Sequence, residues 1–172
     1  MPVNHPSLAD PEIASVTFRL HLDRLWATGR PARLGWGRID LDPLHTIAAM
    51  PGERPDGQRD WYFLRLGAEY YDAAPPTAAF IDPNNWSEVG DGNRWFPVIE
   101  DRPSWFGLHG AYDYPGKGKR QLICCSVVAQ FYMTDHSPQA TEIWQQGKDT
   151  VAATLNRIAE VLGPRHYRRP SK

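Results

Sequence analysis

Sulfur pairs are scarce in this sequence: its two cysteines, Cys124 and Cys125, are neighbours. A bridge between adjacent residues is strained and closes almost no loop, so a disulfide framework is excluded. A reducing compartment, the cytoplasm, is the expected home. No Cys-x-x-Cys or His-Glu-x-x-His occurs, and the chemistry-bearing residues His21, His109 and His136 are scattered, which argues against structural zinc. Excess charge is missing too. A net charge of −1 provides no bulk field for nucleic acid or a membrane surface. No run approaches the roughly twenty apolar residues of a membrane helix. The opening "MPVNHPSLAD" lacks the basic and apolar regions of a signal peptide. Without GxxxxGK[ST], "PGKGK" (Pro115 to Lys119) reads as a turn with two solvated lysines, and without GxSxG no serine is singled out.

What is present fits one domain, residues 1–172, with enough chain to bury a core. Asp10 can cap a helix that Pro11 and Glu12 begin and Gly29 with Pro31 ends; Val16, Leu20, Leu22, Leu25 and Trp26 mark its apolar stripe. A short strand around Leu34, Trp36 and Ile39 turns near Asp42. "ERPDGQRD" reads as a hairpin loop, and Tyr62, Leu64 and Leu66 alternate with Phe63 and Arg65 as a half-buried strand. Thr77 to Ile81 forms a strand entered from a double proline.

Residues 84–119 are turn-rich but carry Trp86, Trp95, Trp105 and four other aromatics, so an ordered loop is expected, covering the cysteine segment. "KRQLICCSVVAQFYM" then reads as a strand, and a helix is expected around Asp149 to Leu162, stopped by Gly163-Pro164. The basic end, residues 165–172, reads as a solvated tail. The expected class is α+β: an antiparallel meander of about four strands flanked by an N-terminal and a C-terminal helix, the latter closing the far end.

Free cysteine is usually buried packing. Alternation places Cys125 with Ile123 on the core face and turns Cys124 outward, where Lys117, Lys119 and Arg120 can favour the thiolate.

"YYDAAPPTAAFIDP" (Tyr70 to Pro83) resembles the core of ubiquitin-conjugating enzymes, where an aromatic strand leads through a Tyr-Pro…Pro-Pro element into a short strand. Downstream, His109 stands where that family has His-Pro-Asn, Ile123-Cys124 match its Ile-Cys, and "HSP" (His136 to Pro138) resembles its Trp-Ser-Pro. The likeness spans residues 60–162. It departs in the longer segments around Cys124 and in Gly110 and Ala111, which replace the Pro-Asn after the histidine. In these departures it resembles the divergent bacterial members, found in operons with a ubiquitin-like protein, an activating enzyme and a metalloprotease, more than the eukaryotic enzymes.

The resemblance implies a ubiquitin-conjugating-enzyme-like fold and a thiol chemistry. Cys124 would accept a ubiquitin-like modifier protein as a thioester from the activating enzyme and pass it to an amine of a protein target, without a cofactor. His109 and His136 would orient or deprotonate groups near the thiol. The alternative is a catalytically inactive binding module of the same fold, with both cysteines in the core and the aromatic loop as the binding surface.

Overall fold

The computed structural model describes residues 5–134, 136, 139 and 141–171. Its first helix, α1 (Pro11–Ala27), begins where Asp10 caps it: the carboxylate accepts from the Glu12 and Ile13 amides. The buried stripe of α1 is Ala14, Phe18, Leu22 and Leu25. Val16 and Leu20, expected inside, face solvent instead, because the i, i+4 spacing that reaches the sheet runs through Ala14, Phe18 and Leu22. A single turn, α2 (Arg30–Arg33), leads into the sheet.

Four antiparallel strands follow in sequence order: β1 (Gly37–Asp42), β2 (His45–Glu53), β3 (Arg59–Gly67) and β4 (Thr77–Phe80). The meander therefore forms as expected. The segment after Asp42-Pro43, which shows no clean alternation, supplies a full strand, β2, buried along most of its length. Tyr62, Leu64 and Leu66 point into the core with Ala48, Met50, Ala78 and Phe80. Phe18 and Leu22 of α1 lie on that face, as do Leu155 and Ile158 of α3 (Val151–Val161). Helix α3 thus lies beside α1 on the same face and does not close the far end. Tyr71 joins the two helices: its hydroxyl accepts from the Val151 amide (3.0 Å) and shares a hydrogen bond with His21 Nδ1 (2.6 Å).

Residues 84–119 are not one aromatic loop. They contain β5 (Pro97–Ile99) and β6 (Gly107–Tyr114), and β6 pairs with β7 (Gly118–Cys124) as a hairpin. The strand expected through Met133 stops at Cys124, and a 3₁₀ turn spans Ala129–Met133. The basic tail is not solvated either. Its β8 (Tyr167–Pro170) pairs with β5, and Tyr167 is fully buried, its hydroxyl donating to Asp60 (2.6 Å) and meeting that of Tyr62 (2.7 Å). Two adjacent arginines, Arg168 and Arg169, hid a strand whose first side chain, Tyr167, enters the core.

Candidate functional site

The β6–β7 hairpin does not join the main sheet through its backbone. Two glutamine side chains make the junction. The Gln121 amide accepts from the Phe80 N–H (2.8 Å) and donates to the carbonyls of Phe80 (3.0 Å) and Val89 (2.6 Å). Gln130 does the same at Ala78, accepting from its N–H and donating to its carbonyl, each at 3.1 Å. A primary amide presents the same donor and acceptor as a peptide group, so these two residues stand in for a neighbouring strand along the free edge of β4.

β7 carries Cys124 at its last position, opposite Gly107. Cys125 lies beyond the strand and is 2 % exposed in the main core, whereas Cys124 is half-buried. The order of burial is the expected one, although strand alternation does not produce it: Leu122 and Ile123 are both fully buried, so this end of the hairpin is covered on both faces.

His109 shares a face with Cys124, since Gly107 pairs with Cys124 and His109 with Leu122. Gly107 has no side chain to separate them. A Cβ there would lie 3.4 Å from His109 Nε2 and 3.8 Å from Cys124 Sγ. Beyond His109 the register slips before Tyr112, and the bulge at Gly110 is pressed against a crossing loop. A Cβ on Gly110 would stand 2.4 Å from the Asp91 amide nitrogen, so the crossing requires glycine.

The bulge brings Tyr112 beside His109, with ring centroids 5.4 Å apart, and His136 packs on the other side of Tyr112 at 5.9 Å. Thr134 Oγ1 donates to the Phe131 carbonyl (2.9 Å) and lies 2.6 Å from His136 Nδ1. Ser137 and Pro138 of the His-Ser-Pro tripeptide lie outside the described residues. The structure thus brings Cys124 to His109, and His109 to His136 through Tyr112.

The charges differ from the expectation. Burial pushes the Cys124 thiol up, and among the described residues no cation pulls it back. Arg120 instead pairs with Glu88 (3.0 Å). Cys125 is pushed up further, to about 11, chiefly by burial. Loss of hydration, then the charges of Arg102 and His136, hold His109 below its ordinary value against the opposing pull of Asp91. At neutral pH the pair therefore rests as thiol and neutral imidazole, an uncharged nucleophile beside a base able to take its proton.

Gly107, Tyr112, Thr134, Gln121 and Gln130 carried no signal in the sequence, because each acts only through what the hairpin brings to it. Among the described residues no group of His, Cys, Asp or Glu side chains is arranged to hold a metal ion, and no helix is long and apolar enough to cross a membrane. Compared with known proteins, the chain matches no protein-family model and no curated protein.

Proposed function

We propose that this chain is a divergent ubiquitin-conjugating-enzyme-like protein that carries a ubiquitin-like modifier as a thioester on Cys124. The observation that carries the reading is the pairing of a half-buried thiol with a neutral imidazole across Gly107. That pair sits on the segment that follows a helix and a four-stranded antiparallel meander and precedes a second helix.

The chemistry is transthiolation. His109 takes the proton of Cys124 Sγ as the sulfur attacks the thioester carbonyl of the modifier held on its activating enzyme. A new S–C bond forms, the old one breaks, and the departing thiolate is reprotonated from His109. An amine of a protein target later attacks the same carbonyl and releases the Cys124 thiol. Because the resting thiol has no nearby cation, ionisation accompanies attack and does not precede it, so an idle enzyme is spared much oxidation and alkylation. The same raised thiol favours the competing reading, a binding module in which Cys124 never reacts.

The test is to incubate the chain with ATP, a ubiquitin-like protein and the activating enzyme of that protein, both from the same genome. A reductant-sensitive adduct on wild type, lost or converted to a reductant-stable ester in Cys124→Ser and retained in Cys125→Ser, is the expected result. No adduct on wild type, or one that survives Cys124→Ser as a labile thioester, refutes the proposal.

A further inference from the structure

Among the described residues the main sheet ends at β1, with no strand on its outer edge. The Ala68 amide donates to the Leu44 carbonyl, which sets the parity of the ladder: Thr46, Ala48 and Met50 bond to β3, so Ile47 and Ala49 bond to β1. Ile39 and Gly37, opposite those two, turn their backbone groups inward. Arg38 and Asp40 therefore turn theirs outward, and among the described residues nothing bonds to those N–H and C=O groups. Their side chains are only partly used. Arg38 Nε donates to Asp40 Oδ1 (2.9 Å) and Arg38 Nη1 to Asp23 (2.7 Å), while Asp40 Oδ1 also meets Arg19 and Thr46. Arg38 Nη2 and Asp40 Oδ2 have no partner among the described residues. Ile39, on the opposite face, is 43 % exposed. An edge with open backbone groups is a template for another strand.

We infer that this edge is a self-association surface: β1 pairs antiparallel with β1 of a second copy about a dyad at Ile39, extending the sheet across both. The occupant follows from register. Only outward-facing residues can be hydrogen-bonded partners, so a symmetric pair has three registers in which Arg38 and Asp40 meet one another's copies. One sets Arg38 against Arg38, and one sets Asp40 against Asp40. The third sets Arg38 of each copy against Asp40 of the other. Each such pair exchanges two backbone hydrogen bonds and puts opposite charges side by side, with Arg38 Nη2 and Asp40 Oδ2 free to meet. On the other face Ile39 then packs on its own copy. A foreign strand would need the same alternation of sign, which a second copy has by symmetry. The dyad stands normal to the sheet, so the second copy's α1 arrives antiparallel on the side of α1. There the exposed Val16 and Leu20 line a groove with Pro43, beside the Asp23 and Arg19 that hold Arg38 and Asp40. The contact is small, so the association is of micromolar strength.

The experiment is sedimentation velocity of the full chain from about 1 to about 200 µM, where a monomer–dimer equilibrium is expected. Arg38→Glu and Asp40→Arg each turn both cross-strand pairs into like charges and are expected to weaken the dimer about 30-fold. Mixed in equal amounts, the two variants restore opposite charge at both pairs, and the heterodimer is expected to regain wild-type strength. A contact elsewhere on the molecule would not follow this pattern. Ile39→Cys, at the dyad, is expected to give a disulfide-linked dimer in oxidised glutathione where wild type, with Cys124 and Cys125 alone, gives none. If either charge variant is unfolded by circular dichroism, Ile39→Cys, altered at an exposed side chain, decides alone. A wild type that stays monomeric at about 200 µM overturns the inference. So does a dimer that both folded charge variants leave intact, or one that their mixture does not restore. A wild-type dimer that Ile39→Cys does not link places the second copy elsewhere and overturns the β1 pairing.

Discussion

Replacing Gln121 by methionine tests whether a side-chain amide holds the cysteine hairpin to the sheet. Methionine keeps the length and volume of glutamine and removes its donor and acceptor. Two groups then lose their partner: the Phe80 N–H and the Val89 carbonyl. The Phe80 carbonyl keeps a second bond, from the Val89 amide at 3.1 Å. Gln121 is 5 % exposed, so water does not replace what is lost. Each buried orphan costs about 1–3 kcal/mol, which puts the loss at roughly 2–6 kcal/mol before relaxation. That is a large share of the ~5–15 kcal/mol that holds a domain together. Gln130→Met is the control: its amide makes the equivalent pair of bonds at Ala78, but it is partly exposed and water can take over, so about 1 kcal/mol is expected. Urea unfolding at neutral pH measures both, and iodoacetamide labelling of Cys124 and Cys125 reports whether the hairpin lifts before the sheet melts. A loss below about 1 kcal/mol in Gln121→Met, with an unchanged denaturant slope, would refute the reasoning.

His45 donates to the carboxylates of Asp42 (2.9 Å) and Glu69 (2.8 Å); burial lowers its pKa, but these two carboxylates raise it more, above the ordinary value. A raised folded-state pKa contributes stability that is full below about pH 6.5 and lost as pH rises through the folded value, so the advantage of wild type over His45→Gln should be larger at pH 6 than at pH 9 in urea titrations. A difference that grows with pH would contradict the carboxylate bridge. Cys125→Ser buries a hydroxyl in the core and should cost about 1–3 kcal/mol, while Cys124→Ser should leave the thermal midpoint nearly unchanged; equal losses would show that the burial of the two thiols is misjudged. Tyr167→Ala removes a fully buried ring from the C-terminal strand and should cost about 3–5 kcal/mol by denaturation, where a solvated tail would cost nothing.

The sequence by itself determined the elements whose signals are local. Asp10-Pro11 starts α1 because a cap and a ring-fixed φ act on their own neighbours. Tyr62, Leu64 and Leu66 report β3 because burial on one face imposes a period of two. The α+β class followed, as did the greater burial of Cys125. Tertiary structure decided the rest. β8 shows four residues, two of them arginine, and becomes a strand only because β5 and the Asp60–Tyr62 pair wait for it. β6 was hidden among glycines and aromatics because its pairing partner lies across a turn and its bulge breaks the alternation. The stripe of α1 was misread in its first half because Val16 and Leu20 are as apolar as Phe18, and only the position of the sheet selects between the faces. The residues Cys124, His109 and His136 were legible in the sequence, but their juxtaposition belongs to this second class. Cys124 and His109 are fifteen residues apart, and what makes them neighbours is a strand pairing and a missing methyl group at Gly107. Composition and periodicity register what a residue prefers; the chemistry here depends on what stands opposite it, and opposition in a hairpin is fixed by register, a property of two segments together.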